Sequence, residues 1–197
     1  FDTWMAAQRQ RARDARKSDV ELLATPGLPA SRFVGDRIYQ WESTVSALLV
    51  DGQEQQEARE GDSVQLVVPE TPFYGESGGQ VGDHGRFETA NGDIIEIHDT
   101  HKPRPDVTLH VGTVTRGAIR TGATVQLHVD QAYRDAARLN HSATHILHAL
   151  LRQHLGEEVR QAGSLVSPAR LRFDFTYPHA VAEDALQQIE HEANLRI

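Results

Sequence analysis

The chain has no cysteine among its 197 residues, which excludes disulfides and thiolate ligands of its own and fits an intracellular setting. It also lacks any run of about 18 apolar residues and any charged-then-apolar leader with a small-residue cleavage site. Neither a membrane span nor a secretion signal is therefore expected. Positive charge is scarce: 20 lysines and arginines stand against 28 acids, a net charge of −8. A broad nucleic-acid-coating surface is not expected from such a chain, and any contact of that kind must be local. With 39% hydrophobic residues the chain can bury a core, and its length suits one or two domains.

Much of the positive charge gathers near the start. Residues 1 to about 24 read as a helix carrying Arg9, Arg11, Arg13, Arg16 and Lys17, with only Trp4, Met5 and a few alanines to bury. A solvated face and a phosphate-contacting face are both open readings of this segment. Thr25 to Pro29 then breaks the helix and serves as a linker.

From Glu42 to Asp130 the pattern turns strand-like. Short β-rich runs cover Thr44 to Val50, Val64 to Val68, Ile94 to His98, Val107 to Thr115 and Thr124 to Val129, separated by turn residues such as Asp51-Gly52 and Asn91-Gly92. Such spacing predicts a small closed or nearly closed β-barrel. Within it, Thr71 to Asp83 holds too much glycine for a strand interior. Successive amides of such a loop can cradle an anion, and its part from Ser77 to Gly82 is expected to be mobile; a plain surface turn is the alternative, since no Walker lysine and no helix follow.

Helical patterning returns after Asp130, a candidate N-cap, and stops at Leu155-Gly156, with Asn140 a possible interruption. This helix carries His141 and His145 four residues apart, which stacks both imidazoles on one face, one turn apart, where two nitrogens can share a metal ion. His148 falls close to that face, whereas Ala143, Leu147, Leu150 and Leu151 form an apolar one. Two ligands do not complete a zinc shell, and exposed or hydrogen-bonded helix histidines are the other reading. A segment from Val159 to Val166 follows, then the alternating run Arg170 to Thr176, then a helix from about Glu183 with Leu186, Ile189, Ala193 and Ile197 spaced for burial. That helix reads as still running where the sequence stops, so the chain looks cut from a longer one at both ends.

Three blocks in order carry a resemblance: Thr71-Pro72-Phe73-Tyr74-Gly75-Glu76-Ser77-Gly78-Gly79-Gln80, then His141-Ser142-Ala143-Thr144-His145, then Gln161 to Val166 with Leu171 to Phe175. Together they resemble the alanyl-tRNA synthetase family, in the stretch that joins its aminoacylation half to its editing domain. The resemblance runs from Phe33 to Ile197 and less specifically through the basic helix. It implies an α+β chain: a helical tail of the tRNA-recognition region with its linker (residues 1–30), a translation-factor-like β-barrel (31–130), and the N-terminal part of an α/β editing domain of the threonyl/alanyl-tRNA synthetase type (131–197). It also implies a cytoplasmic enzyme that joins alanine to tRNA(Ala) with ATP and hydrolyses mischarged seryl- and glycyl-tRNA(Ala).

By the same resemblance His141 and His145 bind zinc together with a cysteine and a histidine from a later C-x-x-x-H motif, expected beyond residue 197. Thr144 and Gln161 are the implied catalytic hydrogen-bonding side chains, and Gly78, Gly79, Gln80 and Ser164 the implied contacts to the substrate and the tRNA acceptor end. Gln161 also reads as a buried amide satisfying backbone groups. ATP and magnesium belong to a catalytic domain expected before Phe1, no membrane partner is expected, and the isolated piece is expected to be inactive. Such an enzyme needs a second, hydrolytic site, because losing one methyl from a substrate changes binding by only ~1–3 kcal/mol and a small apolar pocket does not firmly exclude serine. A free-standing hydrolase of the same superfamily would lack the basic helix and contain the C-x-x-x-H half. A purely tRNA-gripping barrel is the third reading.

Overall fold

The computed structural model describes residues 27–196, so the helix expected over residues 1–24 and the last apolar position, Ile197, lie outside the described residues. The described strands are β1 (Arg32–Phe33), β2 (Gln40–Thr44), β3 (Ala47–Val50), β4 (Gln53–Glu54), β5 (Glu57–Arg59), β6 (Ser63–Val67), β7 (Glu70–Thr71), β8 (Gly85–Thr89), β9 (Ile94–Arg104), β10 (Val107–Arg116), β11 (Ala118–Arg120) and β12 (Thr124–Val129). A long helix, Gln131–Leu155, comes next, followed by β13 (Arg160–Val166), β14 (Leu171–Thr176) and a last helix, Glu183–Asn194.

Eight strands form one antiparallel sheet in the order β2-β12-β8-β9-β10-β6-β3-β4. Leu48 of β3 and Val125 and Leu127 of β12 come from near opposite ends of that order yet share one buried cluster with Leu66, Phe87 and Ile95. The sheet therefore curls around its own core into a half-barrel. The expected single run from Thr44 to Val50 is corrected to two strands, β2 on the β12 side and β3 on the β6 side. Val45 and Ser46 make the corner: Val45 N donates to Ala123 O at 3.0 Å and Ser46 N to Val67 O at 2.8 Å, so one bent segment reaches both ends of the sheet.

Two strands differ from expectation because their polar residues hide the period. In β8 only Phe87 is buried, and one apolar position makes no alternation. β9 continues past His98 to Arg104 through Thr100, a buried polar residue whose hydroxyl donates to Asp83 O at 2.8 Å. Deeper in the half-barrel, His110 is fully buried. Its Nδ1–H faces Leu66 O at 3.0 Å, and its Nε2 accepts the Thr71 hydroxyl at 2.8 Å. Burial lowers its pKa from 6.5 to about 4, so it sits neutral among Phe73 and Phe87.

The long helix begins as its cap residue predicts, with the Asp130 side chain accepting from Tyr133 N at 2.9 Å, and ends at Gly156 with φ 101°. Asn140 does not interrupt it, because the side-chain amide points away from its own backbone and donates to Ser167 O at 2.7 Å and Pro168 O at 3.2 Å. Leu150 and Leu151 pack with Val159 of the following turn and Ile189 of the last helix, and Phe173 and Phe175 of β14 close over them. The last helix stops at Asn194, where Leu195 N bonds back to His191 O at 3.2 Å, and Leu186 is 43% exposed rather than buried as its spacing predicted. Among the described residues no helix is long and apolar enough to cross a membrane.

Candidate functional site

The glycine-rich segment, in which Ser77 to Gly82 is expected to be mobile, is joined to its surroundings by backbone hydrogen bonds. Its base is tied by Tyr74 N to Asp83 Oδ2 at 2.5 Å and Asp83 N to Tyr74 O at 2.9 Å, and its tip by a Ser77–Gln80 bridge. Its far side is strapped to β13, with Val166 N donating to Gly79 O at 2.7 Å and Val81 N to Val166 O at 3.0 Å. Gly79 has φ +86°, and a Cβ there would meet Ser164 Oγ at 2.3 Å and Ser164 O at 2.6 Å. Only glycine lets the two backbones approach so closely. Gly78 has φ +61° but open space around it.

This strapping carries Gln80 inward, where it is buried, and its Oε1 lies 2.7 Å from His141 Nδ1. A carbonyl oxygen only accepts, so Nδ1 carries a proton, and in the neutral ring Nε2 then holds the lone pair. The rings of His141 and His145 lie with centroids 4.9 Å apart and planes at 47°. On the same helix turn Thr144 is buried and its hydroxyl donates to Asn140 O at 2.8 Å, which leaves the oxygen as an acceptor only. Across from it Gln161 Nε2 donates to Ser164 Oγ at 3.2 Å, and Ser164 Oγ donates to Gly78 O at 3.3 Å.

Gly78, His141, Thr144, His145, Gln161 and Ser164 line one cavity of about 160 Å³. Gly79 and Gln80 stand behind it and set its wall. Gln161, read as a possible buried amide, is exposed. The pattern underplayed His148, which also lines the cavity, packs its ring 4.9 Å from that of Phe173, and has a buried Nε2 with no hydrogen-bond partner. A volume of about 160 Å³ suits a small acyl group rather than a drug-sized ligand, which needs ~300–1,000 Å³. A second cavity of about 300 Å³ adjoins the first, with His141 lining both.

Zinc, which the resemblance implies, is tested by the donors present. His141 fits: a neutral imidazole whose Nδ1–H is held by an amide oxygen offers Nε2 in a fixed direction, the arrangement common behind metal-binding histidines. His145 is beside it. Among the described residues no three histidines, aspartates or glutamates come together to hold an ion, so His141 and His145 would hold zinc only with ligands from elsewhere.

The family described as tRNA synthetases class II (A) matches over residues 1–133, which includes the glycine-rich segment and stops before the histidine pair. The chain is 43% identical over 206 residues to an alanine–tRNA ligase of Sphingopyxis alaskensis, covering 100% of the chain and 23% of that protein. An alanine–tRNA ligase of Rhizorhabdus wittichii gives 43% over 204 residues, with 100% and 23% covered. The chain thus spans about a quarter of the length of these curated relatives.

Proposed function

The chain belongs to the class II (A) tRNA synthetases, and from that premise we propose that it is part of an alanine–tRNA ligase and carries the site that removes wrongly attached serine and glycine. In this reading the whole protein attaches alanine to tRNA(Ala) with ATP and magnesium outside the cavity described. The half-barrel is its translation-factor-like barrel over residues 31–130, residues 131–197 begin the editing domain, and residues 1–30 are the tail of the tRNA-recognition region.

The observation that carries the proposal is the convergence of His141, His145, Thr144, Gln161 and Ser164 on one acyl-sized cavity. Hydrolysis of the ester forms a bond from a water oxygen to the acyl carbon and breaks the bond to the ribose oxygen, which takes a proton. Thr144 Oγ1, its own proton committed to Asn140 O, accepts from the serine hydroxyl and so holds the acyl group. Gln161 retains an amide oxygen and a second N–H for the ester or its ammonium, and its contact with Ser164 fixes its direction. Zinc, when held by His141, His145 and two ligands from outside the described residues, supplies Lewis-acid polarisation or substrate positioning. With only that half of the shell, the isolated chain hydrolyses little.

The test is deacylation of seryl-tRNA(Ala) by the full-length protein carrying Thr144→Val, which keeps the side-chain shape and removes the acceptor. Seryl-tRNA hydrolysis should fall about tenfold or more, while alanine attachment stays within about twofold. Equal loss of both activities, or no loss of hydrolysis, contradicts the reading.

A further inference from the structure

His148 lines the acyl-sized cavity but has no part in the hydrolytic reading. It follows Thr144 by one helical turn, close to the same face, and both side chains line that cavity. Its ring is seated against Phe173, with centroids 4.9 Å apart and planes at 39°. Among the described residues neither ring nitrogen makes a hydrogen bond, and Nε2 is buried without a partner. A ring that served only as packing would be bettered there by leucine or phenylalanine, which bring no polar atoms to satisfy.

Thr144 is its chemical complement. The Thr144 hydroxyl gives its proton to Asn140 O at 2.8 Å, so any ligand meets it as an acceptor only. A ligand hydroxyl carries one proton and two lone pairs, and when it donates to Thr144 its oxygen still needs a donor. An imidazole N–H one turn along the helix is such a donor. An acceptor and a donor side by side match a hydroxyl on both counts, whereas a methyl group in the same place leaves both unpaired. A site built to bond a hydroxyl rejects the analogue without it far more strongly than an apolar pocket does.

We propose that His148 is a specificity-determining residue of this cavity, its ring N–H donating to the side-chain hydroxyl of an esterified serine while that hydroxyl donates to Thr144 Oγ1. Nε2 is sealed, so Nδ1 is the nitrogen a ligand reaches, and the neutral ring keeps its proton on Nδ1 and its lone pair on Nε2. The two side chains thus sort a seryl from an alanyl ester, which differ only by that oxygen. The inference rests on the hydrolytic reading above and adds His148 to it.

The test is single-turnover hydrolysis of seryl-, glycyl- and alanyl-tRNA(Ala) by the full-length protein, read as ratios between esters so that a general loss of fold or metal cancels. His148→Leu should lower the seryl-to-glycyl ratio about tenfold or more and raise the alanyl-to-seryl ratio by a similar factor. His148→Asn, whose amide N–H stands near the place of Nδ1, should keep both ratios within about threefold of the parent. Ratios unmoved by His148→Leu, ratios displaced as far by His148→Asn, or loss of hydrolysis of every ester in both variants overturn the proposal. A seryl loss in Thr144→Val beside unmoved His148→Leu ratios condemns the His148 contact alone. Seryl hydrolysis untouched by Thr144→Val condemns the hydrolytic reading itself.

Discussion

Two histidines are fixed by different surroundings. His110 is sealed inside the half-barrel, where desolvation favours the neutral ring and lowers the pKa from 6.5 to about 4. The unfolded chain protonates this residue near 6.5, so the folded state loses relative stability as pH falls from there towards 4, by about 1.4 kcal/mol per pH unit from this group. Denaturant unfolding at pH 7 and 4.5 should show His110→Gln less acid-sensitive than the parent by about 2–3 kcal/mol. Identical pH dependence in the two proteins would remove His110 as the cause. His141 instead sits at a cavity wall, with its proton fixed by Gln80. The H-x-x-x-H spacing made His141 and His145 legible in the sequence, because helix geometry alone puts them together. The tautomer was not legible, since it depends on a side chain 61 positions away. Likewise the blocked donor of Thr144 and the orphaned Nε2 of His148 follow from packing that no local pattern records.

At the scale of elements, the glycine-rich segment behaves as a strap between the half-barrel and β13. Its neighbouring glycines should respond differently to one methyl group. At Gly78, with open space, Gly→Ala costs the strain of a left-handed backbone, about 1 kcal/mol. At Gly79 the same change also drives Cβ into Ser164, so β13 must move and the cavity wall with it. Thermal unfolding with seryl-tRNA deacylation should therefore show a mild defect for Gly78→Ala and a clearly larger one, in both readouts, for Gly79→Ala. Equal defects would mean that the strap is not what sets the wall. Sequence pattern located the glycines and suggested mobility, but the backbone pairing with Val166 is tertiary and left no local mark. The same is true of the far end of β9, where Thr100 is satisfied by Asp83 O, and β8 offered only the single buried Phe87, whereas Asp130 and Gly156 were readable because capping is local.

Across the whole molecule, one buried ion pair ties the half-barrel to the histidine helix. Arg134 is 3% exposed and bonds to Asp83, to Pro72 O, to Gly35 O at 2.9 Å and to Ile38 O at 3.3 Å, while the ring of Tyr39 covers it at 5.2 Å. Every donor it buries has an acceptor, and its charge has a partner, the conditions under which such a group is tolerated. Two turns along the same helix, His141 meets Gln80, so the strap and the helix are set against each other at two points. The histidine pair is thereby held at a cavity built jointly by the glycine-rich segment, the long helix and β13. The most direct measurement of what that cavity does is single-turnover hydrolysis of seryl-tRNA(Ala) by the full-length protein carrying His145→Ala, with bound zinc and alanine attachment measured on the same sample. Loss of zinc together with a fall in hydrolysis of about 100-fold or more, at undiminished alanine attachment, is the result predicted. Hydrolysis at the parental rate in a protein that lacks this imidazole would contradict the account.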